Sequence, residues 1–290
     1  MESIKKVSII INTKDKLSRL RLVLKALECQ VDCNTEVIIV FDGCSRETLD
    51  GFDAVELSFT PIKVISTKNI GSAAARNRGV MQATGKILIF LDDDRIPVPD
   101  FVSLHVAAHA QKCAVLGERM DMYISEEEIE QLYESGAILE DFHGTVIHNA
   151  YKAFDSNDTF FRRLMFRIPR NPLLWLMFYT GNVSVEKEDI LKVGMFDENF
   201  FGWAVEDMEL GYRIQREGIK ITKNAALKNY HITHGYDPQK RKMEIRRNVQ
   251  YFINKYRKNL FMKAILHILK IMIVLRVSRR SKMKASLNTG

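Results

Sequence analysis

Residues 87–94 have the sequence ILIFLDDD, in which five large apolar side chains are followed by three carboxylates. A short, unbroken apolar run of this kind is typical of a strand that is buried on both faces, as in parallel α/β sheets. Similar runs occur at 7–11, 37–41 and 62–65, and helical patterns separate most of them. The alternation predicts an α/β fold with a mostly parallel central sheet that is flanked by helices.

Helical patterns occupy the segments between these strands and much of the chain after them. Leucines recur at helical spacing from Leu17 to Leu27, and Gly85 ends a second pattern. The predicted helices cover 17–27, 69–83, 125–139, 206–217 and, as one or two helices, 242–275, and further strands are predicted at 114–117 and 180–185. Because no repeat or low-complexity linker interrupts the body, we predict one domain over 1–239 and a basic, partly amphipathic helical extension over 240–290.

Polar side chains follow three of the predicted strands at the point where each strand ends. They are Asn12 and Thr13 after the first strand, Asp42 after the second, and Asp92–Asp94 after the fourth. The carboxyl ends of parallel strands meet at one edge of a sheet, and ligands of open α/β sheets bind there. We therefore expect these side chains to form one binding site.

The three consecutive carboxylates predict a metal site. Like charges packed together repel, and one of them would be driven to take up a proton. A divalent cation removes this repulsion, and Mg²⁺ or Mn²⁺ is typically held by one or two carboxylates together with substrate phosphates. Asp92 and Asp94 are two residues apart at a strand end and can face the same side. An acidic turn is the alternative interpretation, since Asp is common in turns.

The segment NIGSAAARNRG at 69–79 predicts a helix that begins close to a ligand. Gly71 and the small residues allow a close approach, and the amino end of a helix favours phosphate. Arg76 and Arg78 can add charge-assisted hydrogen bonds. The segment is neither a P-loop nor a GxGxxG fingerprint, and a tightly packed helix with surface arginines is the alternative.

An acidic pair, Glu206 and Asp207, opens the predicted helix that follows Trp203. An acid beside an aromatic wall suits a general base that removes a proton from an acceptor as the acceptor attacks. Favourable charge at a helix amino end is the alternative. Further along the chain, His231 and His234 are either metal ligands or ordinary surface histidines.

The overall composition excludes several classes of protein. With 46% hydrophobic and 27% charged residues, the chain is neither disordered, collagen-like nor a disulfide scaffold. Its four cysteines have no zinc-site spacing and predict free thiols in a reducing cytoplasm. No apolar stretch is long enough to predict a membrane-spanning helix or a signal peptide.

The charge is divided unevenly between the body and the extension. The net charge of the chain is +7, but residues 240–290 contain 15 Lys and Arg and one acid, whereas residues 1–239 contain 28 basic and 35 acidic residues. Such asymmetry favours an anionic partner, and no recognisable nucleic-acid module is present. The apolar run 260–275 is interrupted on one helical face only and is followed by basic residues, which is typical of a helix lying in a membrane surface. We therefore expect peripheral membrane contact through 260–284 and no nucleic-acid partner, and packing on the body or on a second subunit is the alternative.

The order of the motifs along the chain carries a family resemblance. The motifs are VSIIINT, VIIVFDG, NIGSAAARNRG, ILIFLDDDRIP, TGNVSV, VGMFDENFFGWAVEDMELGYR and YHITHG. Over roughly residues 5–237 this set resembles the family 2 glycosyltransferases with the GT-A fold. The latter half also resembles galactosyl- and N-acetylgalactosaminyltransferases with a Trp-Gly-x-Glu-Asp signature. Phe41 and Cys44 depart from the family pattern, and so does the order Gly-Trp-Ala-Val-Glu-Asp that begins at Gly202.

The resemblance implies a role for each candidate residue. Thr13, Asp42 and Arg76 match nucleotide-binding positions, Asp92, Asp93 and Asp94 match the Asp-x-Asp nucleotide-sugar motif, and Gly181 and Asn182 match a sugar-pocket strand. The implied metal ligands are Asp94, Asp92 and His231. The implied catalytic residues are Asp207, as the base, and Glu206, and the implied acceptor-binding residues are Glu206 and Trp203.

The implied activity is an inverting, metal-dependent transfer of a sugar from a nucleotide-diphosphate sugar, with a UDP-sugar as the favoured donor and Mn²⁺ or Mg²⁺ as the cofactor. The acceptor is left open between a glycan, a lipid-linked sugar, a peptide and a metabolite, and a homo-oligomer is also left open. The expected location is cytoplasmic, at the inner face of the membrane where the extension binds it. A nucleotidyltransferase and a non-catalytic protein that binds through its basic tail are the alternatives.

Overall fold

Eight strands form one mixed sheet in the computed structural model, which describes residues 7–147, 165, 167–168 and 171–268. The strands are β1 (Val7–Thr13), β2 (Thr35–Asp42), β3 (Ile62–Ser66), β4 (Ile87–Asp92), β5 (Arg95–Pro97), β6 (Ala114–Met122), β7 (Asn182–Glu186) and β8 (Ile221–Ile232). The order across the sheet is β3-β2-β1-β4-β7-β6-β8-β5.

Nine α-helices in the described part of the chain flank or extend this sheet. They are α1 (Leu17–Leu27), α2 (Arg46–Asp53), α3 (Ser72–Gln82), α4 (Phe101–Ala108), α5 (Glu126–Ser135), α6 (Ala137–Glu140), α7 (Lys187–Lys192), α8 (Glu206–Arg216) and α9 (Pro238–Lys255). A π-helical turn, His143–Ile147, and a 3₁₀ turn, Leu174–Met177, complete the regular structure, and residues 260–268 are also helical.

The predicted parallel α/β sheet is confirmed. β1 pairs in parallel with β2 and β4, and β2 pairs in parallel with β3. The register places Asn12 opposite Asp92, so the polar ends of β1 and β4 lie side by side. β7 pairs antiparallel with β4 and β6, and β5 pairs antiparallel with β8. These pairings bring the carboxyl-terminal half of the chain to the same edge.

Both faces of the parallel strands are buried, which explains why their sequences are unbroken apolar runs. On one face Ile10, Val40 and Phe90 join a core that also contains residues of α3 and α8. On the other face Ile9 and Ile89 pack with apolar residues of α1. The sheet is therefore a rigid support for the loops at its carboxyl edge.

Two of the differences from the sequence-based prediction have a clear physical cause. The helix predicted over 125–139 is broken at Gly136, whose positive φ of 65° ends α5 and starts α6. Strand β8 is absent from the prediction because its first half is largely exposed and polar, which gives it no continuous apolar run. Its pairing with β6 and β5 comes from long-range contacts that a local pattern does not contain.

The described part of the basic extension packs on the body. Ile245, Val249 and Phe252 of α9, and Met262 and Leu266 beyond it, are buried in the same core as Phe90. The division predicted at residue 239 falls in the first turn of α9. Within the described residues, none of the helices has the length and apolar character needed to cross a membrane.

Candidate active site

The candidate site lies at the carboxyl edge of the sheet, where β4 ends in Asp92. The chain turns through Asp93 and Asp94, both 4% exposed, and then enters β5. β5 pairs with the end of β8, so that Arg95 lies opposite His231. A local turn and one long-range strand pairing therefore place the downstream histidines beside the carboxylates.

Asp94, His231 and His234 form a cluster that could hold a metal ion. One ligand atom from each residue lies within 4.8 Å of the others. Oδ2 of Asp94 is 3.8 Å from Nε2 of His231 and 3.2 Å from Nε2 of His234. The sequence left open which histidine is the ligand, and the structure places both in position.

Hydrogen bonds set the chemical state of these histidines. Burial and the nearby Arg119 lower the pKa of His231 to about 4, so its imidazole is neutral near pH 7. Nδ1 of His231 lies 2.9 Å from Oδ1 of Asp121 and donates its proton there, which leaves the lone pair of Nε2 facing Asp94. Nδ1 of His234 lies 2.9 Å from the carbonyl oxygen of Gly235, and its Nε2 lies within hydrogen-bond distance of Oδ2 of Asp94, at 3.2 Å, where a metal ion would replace the bridging proton.

These three side chains fit a divalent metal. A neutral imidazole lone pair and a carboxylate oxygen that face each other repel, and a cation between them converts the repulsion into two bonds. The hydrogen bond from His234 and the Lys16 ammonium hold the pKa of Asp94 well below its usual range despite burial, so its carboxylate is anionic, as a metal ligand would need to be. Two nitrogen donors fit Mn²⁺ better than Mg²⁺, which prefers oxygen ligands.

Lys16 is a site residue that the sequence analysis missed. Its Nζ lies 3.2 Å from Oδ1 of Asp93 and 2.9 Å from Oδ2 of Asp94. Burial and repulsion from Asp94 raise the pKa of Asp93 to about 6, although Lys16 opposes this rise. Its position three residues after β1 was a usable signal, because the carboxyl ends of β1 and β4 are adjacent.

The residues predicted to bind the nucleotide lie at the ends of β1 and β2. Thr13 is 2% exposed and Asp42 is 5% exposed. The carboxylate of Asp42 accepts hydrogen bonds from the backbone N–H groups of Ile70 at 2.6 Å and Gly71 at 3.0 Å. Asp42 therefore holds the loop that leads into α3, and its contact with a nucleotide remains a prediction.

Arg76 connects three of the predicted motifs. It lies on α3, and its Nη1 donates to Oε1 of Glu206 at 2.9 Å, while its Nη2 donates to Oδ1 of Asp92 at 3.3 Å. Oδ2 of Asp92 accepts from Nε of Arg95 at 2.9 Å. The structure therefore brings Glu206 and Asp92 together through one buried guanidinium.

Asp207 has surroundings that differ from those of the other carboxylates. Burial and the neighbouring Glu206 raise the pKa of Asp207 to about 7, against the lowering effect of Arg76. Its Oδ1 accepts a hydrogen bond from the backbone N–H of Met208 at 2.8 Å. Among the residues that the structure describes, no basic side chain forms an ion pair with it. A carboxylate with a pKa near neutrality is well matched to general-base catalysis.

The loop before α8 has a strained backbone. Ala204 and Val205 both have positive φ angles, 95° and 66°. For a β-branched residue this conformation is a genuine outlier, and such strain collects at functional sites. Trp203, which is 43% exposed, stacks on Arg241 at 3.9 Å from the guanidinium carbon to the ring centroid. The loop thus places Trp203 directly before the acidic pair that opens α8.

Gly181 and Asn182, predicted for the sugar pocket, have different positions. A Cβ at Gly181 would lie 2.1 Å from Nε of Arg95 and 2.4 Å from Oδ2 of Asp92, so the site requires glycine there. The Asn182 side chain is 2% exposed and points into the interior, where its Nδ2 donates to the carbonyls of Glu118 and Leu227 at 3.1 and 3.0 Å. The structure therefore brings Gly181, and not the Asn182 side chain, to the carboxylates.

Two known family models match the segments that contain this site. The model of glycosyl transferase family 2 matches residues 8–182, and the model described as the N-terminal domain of galactosyltransferase matches residues 168–237. The chain belongs to glycosyl transferase family 2. The first match covers the Asp-rich turn, and the second covers the Glu206–Asp207 pair and both histidines of the candidate metal site. The predicted enzyme class, a glycosyltransferase, is confirmed.

Curated relatives of this glycosyltransferase are transferases and synthases. The chain is 28% identical over 282 residues to the uncharacterized glycosyltransferase YfnE of Bacillus subtilis (strain 168), with 87% of this chain and 70% of YfnE covered. It is 32% identical over 225 residues to the validoxylamine A glucosyltransferase of Streptomyces hygroscopicus subsp. jinggangensis (strain 5008), with 74% of this chain and 53% of that protein covered. The chain thus spans only about half of the second relative.

Solved structures with the same fold confirm the GT-A architecture. The mannosyltransferase PcManGT from Pyrobaculum calidifontis, in complex with GDP-Man and Mn²⁺, superposes with a TM-score of 0.63 at 15% identity and covers 100% of this chain and 77% of that chain. Residues 1–349 of S. aureus TarS, in complex with UDP-GlcNAc, superpose with a TM-score of 0.59 at 13% identity and cover 86% of this chain and 67% of that chain. These neighbours bind nucleotide sugars.

Proposed function

We propose that this family 2 enzyme transfers a sugar from a nucleotide-diphosphate sugar, with a UDP-sugar as the favoured donor, to a hydroxyl or other nucleophile with inversion at the anomeric carbon. The observation that carries the proposal is the pairing of a carboxylate–imidazole metal cluster with a separate carboxylate whose pKa is raised to about 7. A metal ion in the cluster would stabilise the negative charge of a leaving diphosphate, and the carboxylate of Asp207 would accept the proton of an attacking hydroxyl.

Asp94, His231 and His234 would hold the metal ion, and Asp121 would keep His231 in the ligating tautomer. When bound, a divalent ion supplies positive charge that neutralises the diphosphate as it leaves. The donor set favours Mn²⁺, because two of the three groups are imidazoles. PcManGT and GalNAc-T7 are both structures with Mn²⁺ bound, which is a property of those proteins and agrees with this proposal.

Asp207 would act as the catalytic base. Its carboxylate takes the proton of the acceptor hydroxyl, the acceptor oxygen forms a bond to the anomeric carbon, and the bond from that carbon to the diphosphate oxygen breaks. A single displacement of this kind inverts the configuration. Glu206, fixed by Arg76, and Trp203 would line the acceptor side of the site, while Thr13, Asp42, Arg76 and Asp93 would face the nucleotide sugar.

A donor panel tests the proposed reaction. The enzyme is incubated with UDP-glucose, UDP-galactose, UDP-N-acetylglucosamine, UDP-N-acetylgalactosamine, UDP-glucuronate and GDP-mannose, with Mn²⁺ or Mg²⁺, and slow donor hydrolysis is followed. Release of nucleoside diphosphate from one donor, faster with Mn²⁺, supports the proposal. Release of pyrophosphate from UTP in the presence of a sugar phosphate would instead indicate the nucleotidyltransferase alternative, and the same products from the Asp94→Asn variant at an equal rate would refute the metal site.

The basic extension is proposed to contact an anionic membrane surface from the cytoplasmic side. Leu260, Phe261 and Ile268 are 79%, 67% and 60% exposed, whereas Met262 and Leu266 of the same helical stretch face the core. Exposed apolar side chains beside basic ones favour an interface rich in anionic lipid. Residues 269–284 of the predicted membrane segment lie outside the described residues.

Liposome sedimentation tests this contact. The full chain should sediment with phosphatidylglycerol vesicles and less with phosphatidylcholine vesicles, and the double change Leu260→Ser, Phe261→Ser should reduce the bound fraction. Met243→Ser is the matched control, because Met243 is 66% exposed on α9 outside this stretch. Unchanged partitioning of the double variant, or its conversion from a dimer to a monomer in light scattering, would show that this face serves another contact.

A further inference from the structure

Asp92 and Asp94 are two residues apart but have different partners. Asp92 accepts from Nη2 of Arg76 at 3.3 Å and from Nε of Arg95 at 2.9 Å, whereas Asp94 faces the two histidines. Within the part of the chain that the structure describes, the candidate metal cluster contains Asp94 and not Asp92. Both carboxylate oxygens of Asp92 are already engaged by guanidinium groups.

The contacts of Arg76 extend this arrangement to the acidic pair on α8. Nη1 of Arg76 donates to Oε1 of Glu206 at 2.9 Å, and the two side chains are only 8% and 9% exposed. Buried ion pairs of this kind are costly to break, because the group that is left behind keeps an uncompensated charge. A continuous row of alternating charges therefore runs through Arg95, Asp92, Arg76 and Glu206 and ends next to Asp207.

We propose that Asp92 is a positioning residue for the catalytic-base side of the site and not a metal ligand: together with Arg95 it fixes Arg76 on Glu206, and this row determines the electrostatic surroundings of Asp207. The inference rests on the proposed role of Asp207 as base. It assigns the first acid of the Asp-rich turn to the acceptor half of the reaction, and the third acid to the donor half.

The charges of the row explain why Asp207 is singled out. Two guanidinium groups and two carboxylates cancel, which leaves Asp207 as an additional carboxylate that has no ion-pair partner among the described side chains. Besides burial and the repulsion from Glu206, Asp92 also raises the pKa of Asp207, and Arg76 lowers it. Loss of Asp92 and loss of Arg76 should therefore move the titration of Asp207 in opposite directions.

The backbone at Gly181 is adapted to the same row. A Cβ at this position would lie 2.1 Å from Nε of Arg95 and 2.4 Å from Oδ2 of Asp92, distances that no real Cβ adopts. The end of the loop before β7 therefore accommodates only a residue without a side chain, because the Arg95–Asp92 pair occupies the space where a Cβ of residue 181 would lie. This close fit makes the pair a fixed part of the fold rather than an exposed surface contact.

The first arm of the test follows Asp207 without measuring turnover. The free energy of unfolding is measured from about pH 4.5 to about pH 9 with Asp207 and with Asp207→Asn, in the wild-type, Asp92→Asn and Arg76→Gln backgrounds. The fold disfavours the ionised carboxylate of Asp207. The increase in the free energy of unfolding caused by Asp207→Asn should therefore grow with pH and level off at the pKa of folded Asp207. In the wild-type background we expect the stability difference to level off near pH 7. With Asp92→Asn it should level off at a pH lower by about half a unit or more, and with Arg76→Gln at a correspondingly higher pH.

Two further variants serve as a control and as a substitute in these stability measurements. Glu36→Gln removes a hydrogen-bonded carboxylate at the opposite, amino edge of the sheet, where Glu36 accepts from Ser8 and Thr84, and it should leave the levelling point unchanged. If Arg76→Gln does not fold, Arg76→Lys retains the charge without the two-sided contact and should give a smaller upward shift.

The second arm measures Mn²⁺ binding with UDP present, by electron paramagnetic resonance of the free ion. Asp92→Asn should bind Mn²⁺ within about threefold of the wild-type affinity, whereas Asp94→Asn should bind at least about tenfold more weakly. Equal weakening by the two substitutions, or levelling points that move in the same direction or not at all, would overturn the proposal. Neither arm needs a donor sugar, so a failure of the proposed transfer would appear separately in the donor panel.

Discussion

Two groups of side chains at the same edge of the sheet shift the pKa values of their carboxylates in opposite directions. Around Asp94, the hydrogen bond from His234 and the Lys16 ammonium overcome burial and hold the pKa of the acid well below its usual range. Around Asp207, burial and Glu206 act together and raise the pKa to about 7. These opposite shifts agree with the proposed roles, because a metal ligand must stay anionic and a general base must exchange a proton.

Replacing Asp207, the proposed base, should produce the largest effect. Asp207→Asn retains the shape of the side chain but cannot take a proton, so kcat should fall about 10²–10⁴-fold. Donor turnover with saturating Mn²⁺ measures this loss, and the Mn²⁺-dependent affinity for UDP should remain close to that of the wild type. Near-normal turnover would remove Asp207 from the mechanism.

A smaller loss is expected on the metal side when the partner of His231 is changed. Asp121 accepts the Nδ1 proton of His231 at 2.9 Å, and Asp121→Asn should weaken Mn²⁺ binding by about 10–100-fold because the imidazole loses its charged anchor. Titration with Mn²⁺ in the presence of UDP measures the change. Asp32→Asn, at a surface turn where Asp32 accepts from Thr35 at 2.8 Å, is the control and should bind Mn²⁺ normally.

The pH dependence of the reaction should reflect the base rather than the metal site. Because the pKa of Asp207 is about 7, the carboxylate is protonated below that pH, and kcat should fall by about tenfold per pH unit on the acid side. Turnover at saturating donor and Mn²⁺ measures the profile. A profile that stays flat down to pH 5 would mean that Asp207 titrates as an ordinary carboxylate or takes no proton.

The smallest expected effect is on stability, and its sign is opposite to that on activity. A folded pKa above the unfolded value means that ionisation of Asp207 costs stability, and this cost is complete above about pH 7 and disappears as the pH falls toward 4. Asp207→Asn should therefore raise the melting temperature at pH 8 by at least about 2 °C, and by less at pH 5. A lower melting temperature at pH 8 would contradict the destabilising environment of the base.

The sequence predicts most of the fold because its parallel strands are buried on both faces and therefore occur in the sequence as continuous apolar runs. It also predicts the edge of the sheet at which the site lies, since the polar residues follow the strands. Strand β8 and the pairing of Arg95 with His231 depend on long-range contacts, so the joint placement of His231 and His234 beside Asp94 could not be derived locally.

Side-chain partners were the least predictable part of the site. Lys16 binds the Asp-rich turn through strand adjacency, and Asp121 reaches His231 across two paired strands, β6 and β8. Asn182 shares a motif with Gly181, yet its amide is used inside the core. Residue type and spacing identify candidates, whereas the pairing of charges decides which candidate performs which task.

The three-residue metal site is the central assignment of the proposed mechanism. Pulsed electron paramagnetic resonance of Mn²⁺ bound with UDP reports nitrogen ligands through their hyperfine coupling to the ion. We expect two distinct nitrogen couplings in the wild type, one of which is lost in His231→Ala and the other in His234→Ala. A spectrum without nitrogen coupling, while Mn²⁺ is bound, would contradict the assignment of Asp94, His231 and His234 as the metal ligands.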